Sequence, residues 1–259
     1  AQVKYKICII SASNFTGTYF MKKISDEYQA VRKHKTVYGS VSGNCAFRGE
    51  KTIWFESTLE RDFLLKQEFD DNVVDVVSQP IIIPYLTELG NESTYTPDFL
   101  VQLSCTSYFS PALFPNPILI EIKPREKLIK DWVKLKPKFK AAIAFCKEKG
   151  WDFKLIDEAR IYDTYWENLH FLKRYKRFSV EENRRDSLIN TLQNIGSCSV
   201  SELPSFLYRD ETNVLYAIHD IWALIAQKYI KCDLNRPLTS HTTIWINLNE
   251  TLLEDLKHD

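Results

Sequence analysis

Prolines at 117 and 124 bracket six residues, Ile118-Leu119-Ile120-Glu121-Ile122-Lys123, and this short run constrains the fold more than any other part of the chain. Its apolar, largely β-branched composition between two helix-breaking residues reads as a strand. Side chains alternate along a strand, so Glu121 and Lys123 share one face and Ile122 points to the other. A carboxylate beside an ammonium inside an apolar run needs a reason. Either this is the exposed face of an edge strand, or the pair belongs to a site.

The neighbouring segments supply the rest of a mixed α/β domain. Val73 to Tyr85 is rich in Val and Ile and reads as strand, interrupted at Pro80; Thr94 to Val101 and Phe153 to Ile156 read as further strands. Helices are expected near Tyr19 to Lys33 and from Ser57 to Phe69, and a Gly/Ser stretch runs from Tyr38 to Gly43. Lys130 to Lys149 places Trp132, Leu135, Phe139, Ile143 and Cys146 near 3.6-residue spacing. Pro137 is expected to kink or split that helix, and Gly150 to end it.

Composition shifts near residue 170. Lys173, Arg174, Lys176 and Arg177 form a basic cluster that reads as a partly extended linker at 171–177, separating a domain over 1–170 from another over 178–259. Beyond it come helices at Glu181 to Ile195, Val200 to Leu207 and Asn213 to Gln227. Two strands follow, Tyr229 to Cys232 and Thr242 to Ile246, with a turn at Asn235-Arg236-Pro237. Three helices and then a β-ribbon is the order of a winged helix; a small α+β domain without a nucleic-acid role is the alternative.

The 259 residues carry no net charge, but the sign varies along the chain: +5 over 1–50, −7 over 51–100, +6 over 101–150. Carboxylates for an ion between basic flanks for phosphates suit metal-dependent phosphodiester chemistry, and clustering on solvated faces produces the same pattern. No apolar run approaches the ~18 residues that span a bilayer. The six cysteines are Cys8, Cys45, Cys105, Cys146, Cys198 and Cys232. Their wide spacing excludes a CxxC motif and suggests a reducing cytoplasm. No P-loop and no G-x-S-x-G occurs. The doublets His219-Asp220 and His258-Asp259 lack the companions a metal site would need, and Trp132, Trp151 and Trp222 read as core residues.

Chemistry therefore rests on Glu60, Asp98, Glu121 and Lys123. If Asp98 lies on a strand beside Glu121, two carboxylates converge as a hard divalent cation requires. Lys123 beside them could hold or deprotonate a water, or stabilise charge developing on a phosphate. Each residue also has an ordinary reading. Asp98 follows Pro97 and could be a turn residue. Ser57-Thr58-Leu59-Glu60 fits a capping box, in which Glu60 accepts from the Ser57 amide.

Taken together, WFESTLERDFLLKQEFDDNVVDVVSQP (Trp54 to Pro80), YTPDFLV and ILIEIKP resemble the TnsA family, endonuclease subunits of bacterial heteromeric transposases. The resemblance runs from about Tyr38 to Ile161; residues 1–37 have no counterpart, and Asp157-Glu158 replaces an expected threonine. It implies a restriction-endonuclease-like N-terminal domain, a mixed sheet flanked by helices, followed by a winged-helix-like C-terminal domain. It assigns catalysis to Glu60, Asp98, Glu121 and Lys123, with Asp98, Glu121 and Glu60 as ligands of Mg²⁺, for which Mn²⁺ can substitute. Glu121 takes a position that is Gln in some members, and Gln79 takes that of the family's Q-P, beside the active site. The implied partners are transposon-end DNA, a TnsB-like DDE transposase, and a TnsC-like ATP-dependent regulator contacted through the C-terminal region. A stand-alone restriction or repair nuclease, or a non-catalytic assembly subunit, are the alternatives with the same fold.

Overall fold

The computed structural model of the chain describes residues 23–31, 41–104 and 115–246. Of the expected first helix, Tyr19 to Lys33, residues 23–31 are described and hold only a 3₁₀ turn at Ile24–Asp26; its two ends, part of the Gly/Ser stretch, Cys8, Cys105 and the His258-Asp259 doublet lie outside the described residues.

A four-stranded mixed sheet organises the first half, in the order β3 (Val73–Ser78), β6 (Phe99–Leu103), β7 (Ile118–Ile122), β8 (Asp152–Ile156). The first two pairings are antiparallel and the last is parallel. That parallel step needs a crossover, supplied by α2 (Arg125–Lys130) and α3 (Trp132–Lys149). One face of the sheet is covered by the hairpin β1 (Gly43–Phe47)–β2 (Lys51–Phe55) and by α1 (Thr58–Phe69), which bury Phe55, Phe63 and Leu64 against Phe99, Val101 and Ile120. The other face carries α3 and the hairpin β4 (Ile83–Leu86)–β5 (Glu92–Tyr95), meeting Val77, Leu100 and Leu119. Each fully buried Leu or Phe contributes about 1.5–3 kcal/mol of transfer free energy.

Three expectations change. The run from Thr94 to Val101 is not one strand: it breaks at Thr96-Pro97-Asp98, because Pro97 cannot donate to a ladder. Pro137 does not split α3; the break falls at Asp131, between α2 and α3. Pro137 deprives only the exposed first turn of a donor, and water can serve that carbonyl. The buried face of α3 is Phe139, Ala142 and Cys146, while Trp132 and Ile143 are exposed. Gly150 ends α3 in the left-handed conformation at φ 69°.

After β8, α4 (Glu158–Ile161) and α5 (Thr164–Leu172) lead into a second core. α6 (Glu182–Ile195), β9 (Ser197–Ser199), a 3₁₀ turn at Leu203–Phe206, α7 (Glu211–Ala226), β10 (Lys231–Cys232) and β11 (Thr243–Trp245) enclose Leu188, Leu192, Leu203, Ile221 and Leu224. Their sheet is antiparallel, in the order β10-β11-β9. The expected helix Val200 to Leu207 is thus only a 3₁₀ turn, and β9 is an additional strand. The basic cluster is also not extended. Residues 173–177 form hydrogen-bonded turns, Tyr175 packs edge-on to His219, and Lys176 pairs with Glu68. Phe171 and Leu172 of α5 belong to the second core, whereas Trp166 packs on the first. Buried Asn168 fixes the β10–β11 loop, donating to the carbonyls of Leu234 (2.9 Å) and Arg236 (2.7 Å) and accepting from the Leu238 amide (3.2 Å). From the same C-terminal side Lys228 and Lys231 reach Asp71 at 2.5 and 2.9 Å.

No helix among the described residues is long and apolar enough to cross a membrane.

Candidate active site

The β6–β7 register pairs Phe99 with Ile120 and Leu100 with Leu119. One step further sets Asp98 opposite Glu121, and opposed residues share a face. It is the face of Leu100 and Leu119, the side covered by α3. The ladder ends here in an irregular way. The Asp98 amide donates to the Ile120 carbonyl (3.1 Å), and the Asp98 carbonyl accepts from the Gln79 amide (2.7 Å). The Ile122 amide donates to Asp98 Oδ2 at 2.6 Å, so a carboxylate oxygen replaces a strand carbonyl. Pro97 and the strand end thus fix Asp98 through main chain and side chain together.

Glu121 is 1% exposed. Its Oε2 accepts from the Tyr95 hydroxyl at 2.9 Å; its Oε1 accepts from Lys123 Nζ at 3.1 Å and Lys138 Nζ at 3.2 Å. Neither Tyr95 nor Lys138 stood out in the sequence. The spacing that puts Leu135, Phe139 and Cys146 on one face of the helix leaves Lys138 beside that face, so no sequence signal marks it.

Glu60 forms the capping box in a modified version. Its amide donates to Ser57 Oγ (3.2 Å), but its carboxylate accepts from the Ser57 hydroxyl (2.8 Å) and the Glu56 amide (2.7 Å), one residue earlier than the expected Ser57 amide. The cap and the site are compatible: the carboxylate held at the start of α1 also acts electrostatically on Asp98 and Lys123. Gln79 follows β3 with φ 47°, a left-handed conformation that a residue before proline rarely adopts. Its main chain is clamped, donating to Asp98 and accepting from the Val31 amide at 3.0 Å. Its side-chain Oε1 is buried without a hydrogen-bond partner among the described residues.

Electrostatics follow from this crowding. Burial, then Glu121 and Glu60, hold the Asp98 carboxyl well above the usual carboxylate range, against the pull of Lys123 and the Ile122 amide. Burial likewise raises Glu60 despite the donors from Glu56 and Ser57. Burial lowers Lys123, but Glu121 and Asp98 outweigh it and keep the ammonium protonated.

The donor set fits a divalent cation at two carboxylates. An ionised carboxylate offers about four lone-pair sites; three are engaged on Glu121 and one on Asp98. Oxygen remains available on both, and a cation would offset the burial and the repulsion that together raise Asp98. On Glu60 the cap engages two of the four sites, one on each oxygen, and among the described residues no three His, Cys, Asp or Glu side chains form a metal-holding group. Asp98 and Glu121, opposed on neighbouring strands, are the pair that could hold a divalent ion, and Glu60 acts on Asp98 through its charge.

A model of the TnsA-like endonuclease N terminal matches residues 70–158, and one of the TnsA endonuclease C terminal matches residues 160–234. Asp98, Glu121, Lys123 and Gln79 lie within the first; Glu60 lies ahead of it. A comparison with curated proteins gives no match. The two models abut at α4 and together cover more than half of the sequence, in the order in which the two cores occur, and the chain belongs to the TnsA family of transposition endonucleases.

Proposed function

We propose that the chain is a Mg²⁺-dependent DNA endonuclease, Mn²⁺ substituting, that nicks the 5′ ends of a transposon. In this reading a TnsB-like DDE transposase cuts and joins the other strand, and a TnsC-like regulator docks on the C-terminal region. The observation that carries it is the placement of Asp98 opposite Glu121, with Lys123 on the same carboxylate and Glu60 acting from α1. A bound divalent ion would activate a water and neutralise charge on the phosphate. The chain's own residues do the remainder. Asp98 and Glu121 would hold the ion. Lys123, partly exposed and cationic, donates to the attacked phosphate or its water. The clamped main chain of Gln79 fixes Asp98 from the neighbouring strand.

The second core supports a winged-helix-like role in assembly through its order of helix, strand, short 3₁₀ turn, helix and two strands. Cys45, Cys146, Cys198 and Cys232 are free thiols, which suits the bacterial cytoplasm.

Strand-specific cleavage in the reconstituted transposase tests the proposal. Asp98→Ala should abolish 5′-strand nicking while 3′-strand joining continues, giving a joined, uncut product in place of cut-and-paste. Normal 5′-strand cleavage by folded Asp98→Ala protein would falsify the assignment, and cleavage by the wild-type chain alone at unrelated sequences would favour a stand-alone nuclease.

A further inference from the structure

Lys138 has no part in the catalytic set read from the sequence, yet its ammonium lies 3.2 Å from the Glu121 oxygen that Lys123 also contacts at 3.1 Å. Its side chain is only 16% exposed. The ammonium stands 4.6 Å from the Tyr95 ring centroid and 5.2 Å from that of Phe139, within cation–π range of both. Tyr95 in turn donates its hydroxyl to the other Glu121 oxygen. Glu121 is thus gripped by three donors, two of them charged, and Tyr95 touches both the carboxylate and the lysine.

Building on the nuclease reading above, we infer that Lys138 is a positioning residue that shares the charge of Glu121 and so leaves Lys123 free to serve the reacting phosphate. With a single lysine on a buried carboxylate, the shortest ion pair would draw that ammonium fully onto Glu121. With two on one oxygen, neither has the carboxylate to itself. The two differ in access: Lys123 is 28% exposed at the strand end, while Lys138 projects from α3, 16% exposed, beside the Tyr95 and Phe139 rings. The buried lysine is suited to stay and the accessible one to turn outward.

The arrangement also makes Lys138 specific to a carboxylate. A glutamine at 121 could give its carbonyl to the lysines and its amide N–H to the Tyr95 oxygen, but would leave two ammonium groups facing one neutral side chain. Lys138 and Glu121 therefore form a pair that should be exchanged together.

The test uses the full chain, with Mn²⁺ alone as the binding probe and, separately, 5′-strand cleavage with the transposase partner. Lys138→Met removes a cation that competes for the Glu121 oxygen. It should bind Mn²⁺ about 3–10-fold more tightly than wild type, yet cleave at least about tenfold more slowly at saturating Mn²⁺. A merely structural lysine would move both in the same direction, together with the melting temperature. Lys138→Arg, which keeps the charge, should recover most of the rate. Glu121→Gln should be less harmful in the Lys138→Met background than alone, both for cleavage and for thermal stability. Weaker Mn²⁺ binding by Lys138→Met, or additive effects of the two substitutions on stability, would overturn the inference. The stability cycle needs neither ion nor DNA, so it judges the Lys138–Glu121 pair even if wild-type protein neither binds Mn²⁺ nor cleaves, the result that would defeat the nuclease reading instead.

Discussion

Asp98→Asn should make the protein more stable without a divalent ion and less stable with one. Opposed residues on antiparallel strands lie about 5 Å apart, and two unit charges at that distance repel by roughly 3 kcal/mol at an effective dielectric near 20. Lys123 offsets part of this, and Glu60 adds to it. Asparagine keeps an oxygen for the Ile122 amide but gives up charge assistance, at a cost of about 1 kcal/mol. The balance is a gain of about 1 kcal/mol, or about 2–4 °C in melting temperature for a chain of this size. Saturating Mg²⁺ reverses the order: at one hundred times its dissociation constant the ion adds about 2.7 kcal/mol to wild type and little to the variant. The sign with pH is also fixed. Asp98 has a folded-state pKa above its unfolded value, so its contribution is fully present below about pH 4 and is lost as pH rises through the folded value. In chelator the two proteins should therefore melt alike in acid and diverge towards neutrality. Thermal melts in EDTA and in Mg²⁺, from pH 4 to 8, provide the measurement. A variant that melts below wild type in EDTA at neutral pH, or that gains as much from Mg²⁺, would refute the reasoning.

Two further outcomes can be checked with the same protein. Gln79→Gly relieves a left-handed backbone and deletes a buried oxygen that has no partner among the described residues, so it should raise stability by about 1 kcal/mol while slowing cleavage, read by thermal melts and strand-specific nicking. Asp71→Asn should cost only about 0.2–1 kcal/mol at neutral pH, because the side chain shared by Lys228 and Lys231 is 55% exposed. Burial raises the Asp71 carboxyl, but the two lysines outweigh it and hold it low; the stability it brings is present above about pH 4 and lost as pH falls through the folded value, so the urea midpoints of the two proteins should converge in acid.

Much of the site was legible because its parts are local. Period-two alternation put Glu121 and Lys123 on one face, and the helix cap identified Ser57 and Glu60 whichever way Glu60 pointed. Asp98 is legible by motif, but the apolar residues around Pro97 suggest one strand where the proline leaves two. What escaped was tertiary. Tyr95 and Lys138 come to Glu121 from a separate hairpin and from the crossover helix, and no sequence period relates those elements. The surface of α3 misled for a related reason: the exposed Trp132 and Ile143 continue an apolar spacing that only Phe139, Ala142 and Cys146 carry into the core. The charged run at 173–177 suggested a solvated tether, because its ion pair with Glu68 and the packing of Tyr175 on His219 depend on elements about a hundred and about forty residues away in sequence.

Helix α5 belongs to both cores at once, with Trp166 serving one and Phe171 and Leu172 the other. Cooperativity follows. Melting either unit strips the cover from one end of a helix whose other end the remaining unit needs, and a nine-residue helix is too short to persist alone. The chain should then unfold in one calorimetric transition, although it reads as two modules. A nuclease fragment ended at the basic turn would keep Phe171, Leu172 and Tyr175 with nothing to lie against, and is expected to self-associate through them, whereas one ended before α5 would lose the Trp166 cover of its own core. No cut between the two modules leaves both intact, so separating their activities calls for point substitutions on the helix surface and not for truncation.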